Sequence, residues 1–482
     1  MWEKMSPMFP QATQSPATPE NLDLAALPLG VRANPVPEIL AALRFAGRPR
    51  DPNTLDLDLM HGERLPGWDG TLLTFFLFRH NRLRSPFNGG QYPAATIRVP
   101  RGAVFHGKTL GHGPPPHTIH WHGIEPTSIN DGVGHCSMEI GNYIYQWQPN
   151  FIGTYFYHCH RNTVQHFEFG LFGLLIIDPP DAFFASIRRF RPNGAIVLNR
   201  VPVGAGRDGL RRTAANLVTP FADFTNLFPG FIGGDPINGV AVPDPLGQFP
   251  TDPHAFTVPY DVEAFWVLDD RDSVWSEFAP SAFAFFPRNG NRPGINDRFR
   301  IGFFNDYRAD FWFITGVPVP GPPGSVVAID PAGAPPAGGG LAGGVIPAQL
   351  NSGVAGTQIA INAAVDQTIL IRTLDAAYNN ARITFPVDVV IIAVDGRALG
   401  VPPFGLYNNA FLLPANTPIL ICTARRFDAL MRFPSAQFPN GFNGFATVEF
   451  IDSQGTTPDP ASNNVLLGPV LQTALIPINI VT

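Results

Sequence analysis

A proline or glycine interrupts this chain about once in every five residues, with 52 prolines and 48 glycines among 482. Proline removes a backbone donor and fixes φ, and glycine raises the entropic cost of ordering a helix. Long helices are thereby disfavoured, and short strands joined by turns are favoured. The runs between these breakers are β-rich: Thr71–Arg79, Thr96–Val99, Tyr143–Trp147, Gly153–His158 and Leu171–Ile177 in the first half of the chain. Val262–Leu268, Phe299–Phe304, Phe311–Ile314, Gln367–Thr373, Val387–Ala393 and Ala446–Ile451 follow. No heptad or long amphipathic pattern opposes this reading, so an all-β chain is expected.

The breakers also divide the chain. Residues 1–55, rich in Pro, Ala and Asn, read as an extension with a short helix at Glu38–Arg44. A first β domain spans 56–180 and stops at Asp178-Pro-Pro180; residues 181–254 read as an irregular linker or insertion. A second β domain spans 255–455, with Val317–Gly344 as a long Pro/Gly/Ala loop. Residues 456–482 form a tail whose apolar end, Ala474–Val481, reads as an added strand.

Net charge is −6, and the basic residues are 30 Arg and only two Lys, Lys4 and Lys108. The arginines are scattered among acids, which argues against a nucleic-acid footprint. No run reaches the length of a membrane span. No apolar signal-type segment is visible near the first residue, so the compartment is left open. The three cysteines, Cys136, Cys159 and Cys422, form no CxxC pair and no disulfide framework. Cys422 reads as a buried core residue.

Nine of the twelve histidines lie between 106 and 166. The block opens with His117-Thr-Ile-His120-Trp-His122-Gly123 and closes with Tyr157-His158-Cys159-His160, His166 and Gly170-Leu171. In a strand, residues i and i+2 share a face. His120 and His122 therefore aim at one point, as do His158 and His160, while Cys159 points the opposite way. Imidazole and thiolate together are ligands that copper prefers, and a blue-copper centre takes two His, one Cys and a weak axial position. Cys159 and His166 sit on one loop, with Leu171 five residues beyond His166, and His117 is placed to supply the other histidine of such a centre. The two His-x-His pairs supply a second, and Cys159 joins the two. His106, His112 and His135 read as loop histidines; His61, His80 and His254 read as surface or hydrogen-bonded residues.

These motifs resemble those of the multicopper oxidases, the laccase-like enzymes built from cupredoxin domains. The likeness runs through Gly90–Gly102, His120-Trp-His-Gly123, Asp131-Gly132, Cys136 and Gly153–His160. In the second domain it includes Ile392-Ala-Val-Asp-Gly396 and Ala424-Arg-Arg-Phe-Asp-Ala-Leu430. The resemblance implies two cupredoxin-like Greek-key sandwich domains with long insertions. It implies type 1 copper on His117, Cys159 and His166, with Leu171 axial, where a non-coordinating side chain raises the potential. It implies type 2 copper on His120, type 3 copper on His122, His158 and His160, and a proton-relay role for Asp131. Cys136 matches a family loop position and either pairs or stays free.

The implied activity is oxidation of a phenol, aromatic amine or metal ion, with electrons passing through His158-Cys159-His160 to a cluster that reduces O2 to water. A periplasmic or secreted setting is also implied. The family's cluster takes eight histidines from two domains, and this chain offers four, all in the first. A second copy meeting the first in a homo-oligomer would complete the set. The alternatives are a two-domain copper nitrite reductase, and a non-catalytic copper-binding, electron-transfer or scaffold subunit.

Overall fold

The computed structural model describes residues 54–80, 90–100, 105–110, 117–133 (less 125, 128 and 129), 142–149, 153–160, 163–178, 188–190, 196–198, 201–204, 257–260, 262–278, 307–329, 349–350, 359–398, 411–453 and 468–482. The segments Glu38–Arg44 and Phe299–Phe304, together with Cys136, His112, His135 and His254, lie outside them. The chain is all-β, as expected. Among the described residues the only helices are two of six residues, and none is long and apolar enough to cross a membrane.

The first half folds as two facing sheets. Its strands are β1 (Thr54–Pro66), β2 (Leu72–His80), β3 (Gly90–Gln91), β4 (Ala94–Pro100), β5 (Phe105–Leu110), β6 (His120–His122), β7 (Asn142–Trp147), β8 (Gly153–His158) and β9 (Phe172–Asp178), with helix α1 (Thr163–Glu168) before β9. One sheet has the order β3-β2-β1-β5-β7; the other has β4-β9-β8-β6, extended beyond β4 by Gln349–Leu350. β1 and β5 run parallel, as do β4 and β9, while β8 is antiparallel to both β9 and β6. All six residues of β8 are buried. Among the described residues β6 is the edge strand of its sheet, with no sheet neighbour on the side away from β8.

A second pair of sheets lies beside the first. One is built on Val262–Arg271, Thr368–Asp375, Arg426–Arg432 and Val389–Val394; the other on Val470–Val481, Phe442–Ile451 and Asn380–Thr384. The apolar end of the chain is a central strand of this second sheet, pairing with Phe442–Ile451 along its length. The stretch read as one loop from Val317 contains two strands. Val317–Pro318 closes a hairpin on Phe311–Ile314 through Thr315-Gly316, both at positive φ. Val326–Ala328 pairs in parallel with the C-terminal strand through backbone alone, which hydropathy does not encode. Within the stretch read as irregular, Arg188–Phe190 pairs with Ile196–Leu198, and Val201–Gly204 pairs with Thr257–Tyr260. Cys422 is exposed rather than buried, because it leaves the Pro418–Ile421 strand into a turn closed by Arg425 N–H donating to its carbonyl.

A buried charge network fastens the two sandwiches. Arg98 on β4 donates to Glu263 Oε2 at 2.8 Å, and Arg372 Nε donates to Glu263 Oε1 at 2.6 Å. Arg372 also reaches Thr154 of β8, whose hydroxyl donates to Asp428 at 2.6 Å. Burial alone would raise the Glu263 carboxyl, but Arg98 and Arg372 outweigh it and hold it at about 2. A paired and hydrogen-bonded charge set of this kind is costly to break from one side, so it fixes which edge of the second sandwich faces β6.

Candidate metal centre

The backbone of β6 and β8 places the histidines. His120 lies opposite His158 and His122 opposite Phe156. Trp121, between the two β6 histidines, is fully buried, while His120 and His122 are half-buried on the other face. β8 ends at His158, and the alternation continues past it. His158 and His160 have ring centroids 5.7 Å apart, while Cys159 enters the core on the opposite side.

Cys159, His117 and His166 come together in that core. Cys159 Sγ is 3.6 Å from His117 Nδ1 and 3.1 Å from His166 Nδ1, and the two imidazoles stack at 4.5 Å. All three are buried. His166 reaches the thiol because α1 coils the chain between them, so the seven-residue separation from Cys159 is taken up in helical turns. Leu171, fully buried in the same core cluster as Cys159, is tied to both partners. Its carbonyl accepts from Cys159 N at 3.0 Å, and its own N–H donates to His166 O at 2.9 Å. The second sandwich grips α1 from outside: Tyr378 Oη donates to Val164 O at 3.1 Å, and Asp272 N donates to Glu168 Oε1 at 3.3 Å.

The other four histidines form an open quartet. Ligand atoms of His120, His122 and His158 lie within 4.8 Å of one another. His160 packs at 5.2 Å, ring to ring, from His120. His158 Nδ1 lies 2.9 Å from its neighbour's carbonyl, Cys159 O, and His120 Nδ1 lies 2.8 Å from Asp131 O and 3.2 Å from Asp131 Oδ1. Nδ1–H donation in both bonds leaves Nε2 available to a metal and fixes each ring. Asp131 owes its place to Gly132, at φ 76°, where a Cβ would fall 1.8 Å from Ile119 O.

His120, His122 and His158 are electrostatically set to stay neutral. Burial holds His122 at about 3, assisted by the positive charge of Arg426. Burial also takes His158 well below its ordinary value, and it lowers His120 against the opposing pull of Asp131. A metal ligand must be the unprotonated imidazole, so depressed values favour metal over proton.

Through His120 and His122 the quartet borders a cleft of about 760 Å³. Its near wall carries His120, His122 and Asp131; its far wall, from the second sandwich, carries Asp395, Arg397, Arg425 and Arg426. The far wall is latched to β8: Tyr155 Oη donates to Gly396 O at 2.6 Å, and Arg426 Nε reaches Thr154 O at 3.4 Å. Gly123, at φ 90°, ends the His-Trp-His-Gly run where a Cβ would meet Arg426 Nη2 at 2.7 Å and Tyr155 at 2.9 Å. Sequence reading missed these arginines as site residues, although Arg425 and Arg426 lie inside one visible motif and Arg397 directly follows the other. Nothing local in either motif says which surface it faces.

His106 is a buried residue of β5 rather than a loop histidine, because β5 pairs with both β1 and β7 at this position; His80 is buried at the end of β2. Neither belongs to the two metal-type groups, which are the only such groups among the described residues. The side chain of His61 lies outside them.

Residues 82–182 match the family model for multicopper oxidases. The L-ascorbate oxidase of Cucumis sativus is 34% identical over 102 residues, which is 19% of this chain and 16% of that protein. The chain therefore spans only a small part of that relative's length. Among solved structures, the blue copper oxidase of Nitrosomonas europaea aligns with a TM-score of 0.43 at 17% identity, over 87% of this chain and 85% of that one. The laccase of Botrytis aclada aligns with a TM-score of 0.42 at 14% identity, over 87% and 51%.

Proposed function

From its membership of the multicopper oxidase family through residues 82–182, we propose that this protein is a copper-dependent oxidase that takes single electrons from a reducing substrate and delivers them to O2. The observation that carries the proposal is the pairing of a buried Cys159–His117–His166 triad with a four-histidine group through one tripeptide. The donor sets fit copper: two imidazoles and a thiolate with an apolar fourth neighbour on one side, and a cluster of imidazoles on the other. Copper, when bound, supplies the one-electron chemistry.

The chain's own residues do the rest. His117, Cys159 and His166 would hold one ion in a buried pocket, with Leu171 tied by backbone to Cys159 and His166. His120, His122, His158 and His160 would hold the others at the cleft. The bonded path between the two groups is the shortest available, since Cys159 is flanked by His158 and His160. Asp131 holds His120 and stands on the cleft wall, where it can exchange protons with solvent.

The substrate is a phenol, an aromatic amine or a low-valent metal ion. The quartet is half of the eight-histidine set, and a second copy of the first sandwich, meeting it across a two-fold axis, would supply the remainder. A non-catalytic electron-transfer role is favoured by one observation, the arginines that stand opposite the quartet in place of histidines. Copper loading of the intact chain separates the readings. The oxidase reading expects a strong band near 600 nm, a near-UV shoulder from coupled copper, more than one copper per chain, an oligomer in solution and O2 uptake with a phenol or ferrous ion. One copper per chain without the near-UV feature or O2 uptake would leave electron transfer. A full copper complement on a monomer would remove the second copy.

A further inference from the structure

Two second-sandwich motifs, Ile392-Ala-Val-Asp-Gly396 and Ala424–Leu430, have no role in holding metal, yet they meet at the lip of the quartet's cleft. Asp395-Gly396 is the tight turn between the Val389–Val394 and Arg397–Ala398 strands, with both residues at positive φ. Ala424, also at positive φ (67°), turns the chain into Arg425-Arg426. Each turn braces the other. Asp395 N donates to Arg426 O at 2.9 Å, and Arg426 N donates to Asp395 Oδ1 at 3.0 Å. Arg425 Nε pairs with Asp395 Oδ2 at 2.9 Å.

These bonds use one edge of each guanidinium and leave another over. Arg426 is buried, with 3% of its side chain exposed, and its Nη1 donates to Ala424 O at 2.7 Å. Among the described residues, Arg426 Nη2 has no hydrogen-bond partner, and neither has Arg425 Nη1 or Nη2. Arg426 Nη2 reaches the cleft only because Gly123 offers no side chain in its way. Among the described residues that line it, the cleft carries three guanidiniums and two carboxylates, Asp395 and Asp131. A buried guanidinium with an unused donor is costly to desolvate unless an anion or water meets it, and its planar donors match a planar XO2 group in two bonds.

We propose that the far wall of this cleft is a subsite for a small anion of the carboxylate or oxyanion class, held by Arg425 and Arg426 beside His122. The subsite belongs to the chain's own side chains and does not depend on the copper reading. Its effect on the quartet is electrostatic. An anion there offsets the positive charge that Arg426 places next to His122, so the anion and a cation on the quartet would favour each other reciprocally.

Calorimetric titration of the full-length, copper-free protein with sodium acetate and with sodium phosphate at low ionic strength tests the subsite. The expected result is saturable binding of about one anion per chain, weakened about tenfold or more in Arg425→Ser and in Arg426→Gln, since each removes charge-assisted bonds. Arg64→Ser, on the opposite face of the first sandwich, should leave it unchanged. Arg425 is half-exposed, so Arg425→Ser keeps the test decisive if the buried Arg426 cannot be replaced without unfolding. Preference for acetate would point to an organic carboxylate as the natural ligand, and equal binding of phosphate to an inorganic one. Equal affinity in wild type and Arg425→Ser, equal weakening in Arg64→Ser, or no saturable heat from either anion would overturn the proposal.

Discussion

The two histidine groups share a tripeptide but live in different surroundings. The Cys159 triad is closed: its three side chains are buried, and Leu171 is bonded by backbone to the chain at both Cys159 and His166. The quartet is open on one side: its His120 and His122 sit on an edge strand, at a cleft whose far wall belongs to another sandwich. The closed group is specified almost wholly by one stretch of sequence. The open group depends on what faces it, and that surface lies some 270 residues further on (Arg426 against His158, a difference of 268). Closure suits a site that must hold one geometry. Openness suits a site that must admit a small molecule or a second protein surface.

The largest expected effect separates the groups outright. Cys159→Ser removes the thiolate from the closed triad and leaves every quartet ligand in place. It should abolish the visible band completely, lower the copper count by about one per chain, and take O2 uptake to background, while copper held by the quartet persists in paramagnetic resonance. Survival of the visible band would show that Cys159 is not a ligand. Loss of all copper would show that the two groups are a single cooperative site.

Gly123→Ala acts from the open side. The new Cβ must share space with Arg426 Nη2 and Tyr155, at a φ of 90° that an L-residue adopts only with strain. A cost of about 1–3 kcal/mol is expected, read as a lowered midpoint in denaturant. The far wall must shift to accommodate the methyl, so copper retention by the quartet should fall while the visible band of the triad holds. Equal loss at both groups would mean that the cleft wall supports the whole first sandwich rather than the quartet.

The same contrast explains what could be read from sequence. Strand alternation and spacing are local, so the placement of His120 with His122, of His158 with His160, and of Cys159 on the other side followed from a few residues each. The all-β class followed as directly from proline and glycine. The helix α1 was not foreseen, because its six residues carry too short a periodic signal. The exposure of Cys422, the inner position of Val470–Val481, and the arginine wall all depend on tertiary pairing. The wall is the clearest case. Its motifs were visible, but the Glu263 network that orients the second sandwich against β8 is assembled from Arg98, Thr154, Glu263, Arg372 and Asp428, five residues with no common local pattern.

The smallest expected effect probes the closed group from outside. Tyr378 belongs to the second sandwich, and its hydroxyl donates to the carbonyl of Val164 in the first turn of α1, two residues before His166. Tyr378→Phe deletes that donor while keeping the ring that packs on Tyr307 at 4.9 Å. A helix of six residues has few bonds of its own, so an external donor to its backbone contributes a large share of its order. The loss should cost about 0.5–1.5 kcal/mol in stability. Its distinguishing sign is spectroscopic: the visible band and the hyperfine pattern of the triad should shift slightly, with the quartet's copper signals unmoved. If the band is unchanged while stability falls, the hydroxyl fastens the two sandwiches without reaching His166. If the quartet's signals move instead, the closed group is not held through α1, and the second sandwich acts on the metal centres through the cleft wall alone.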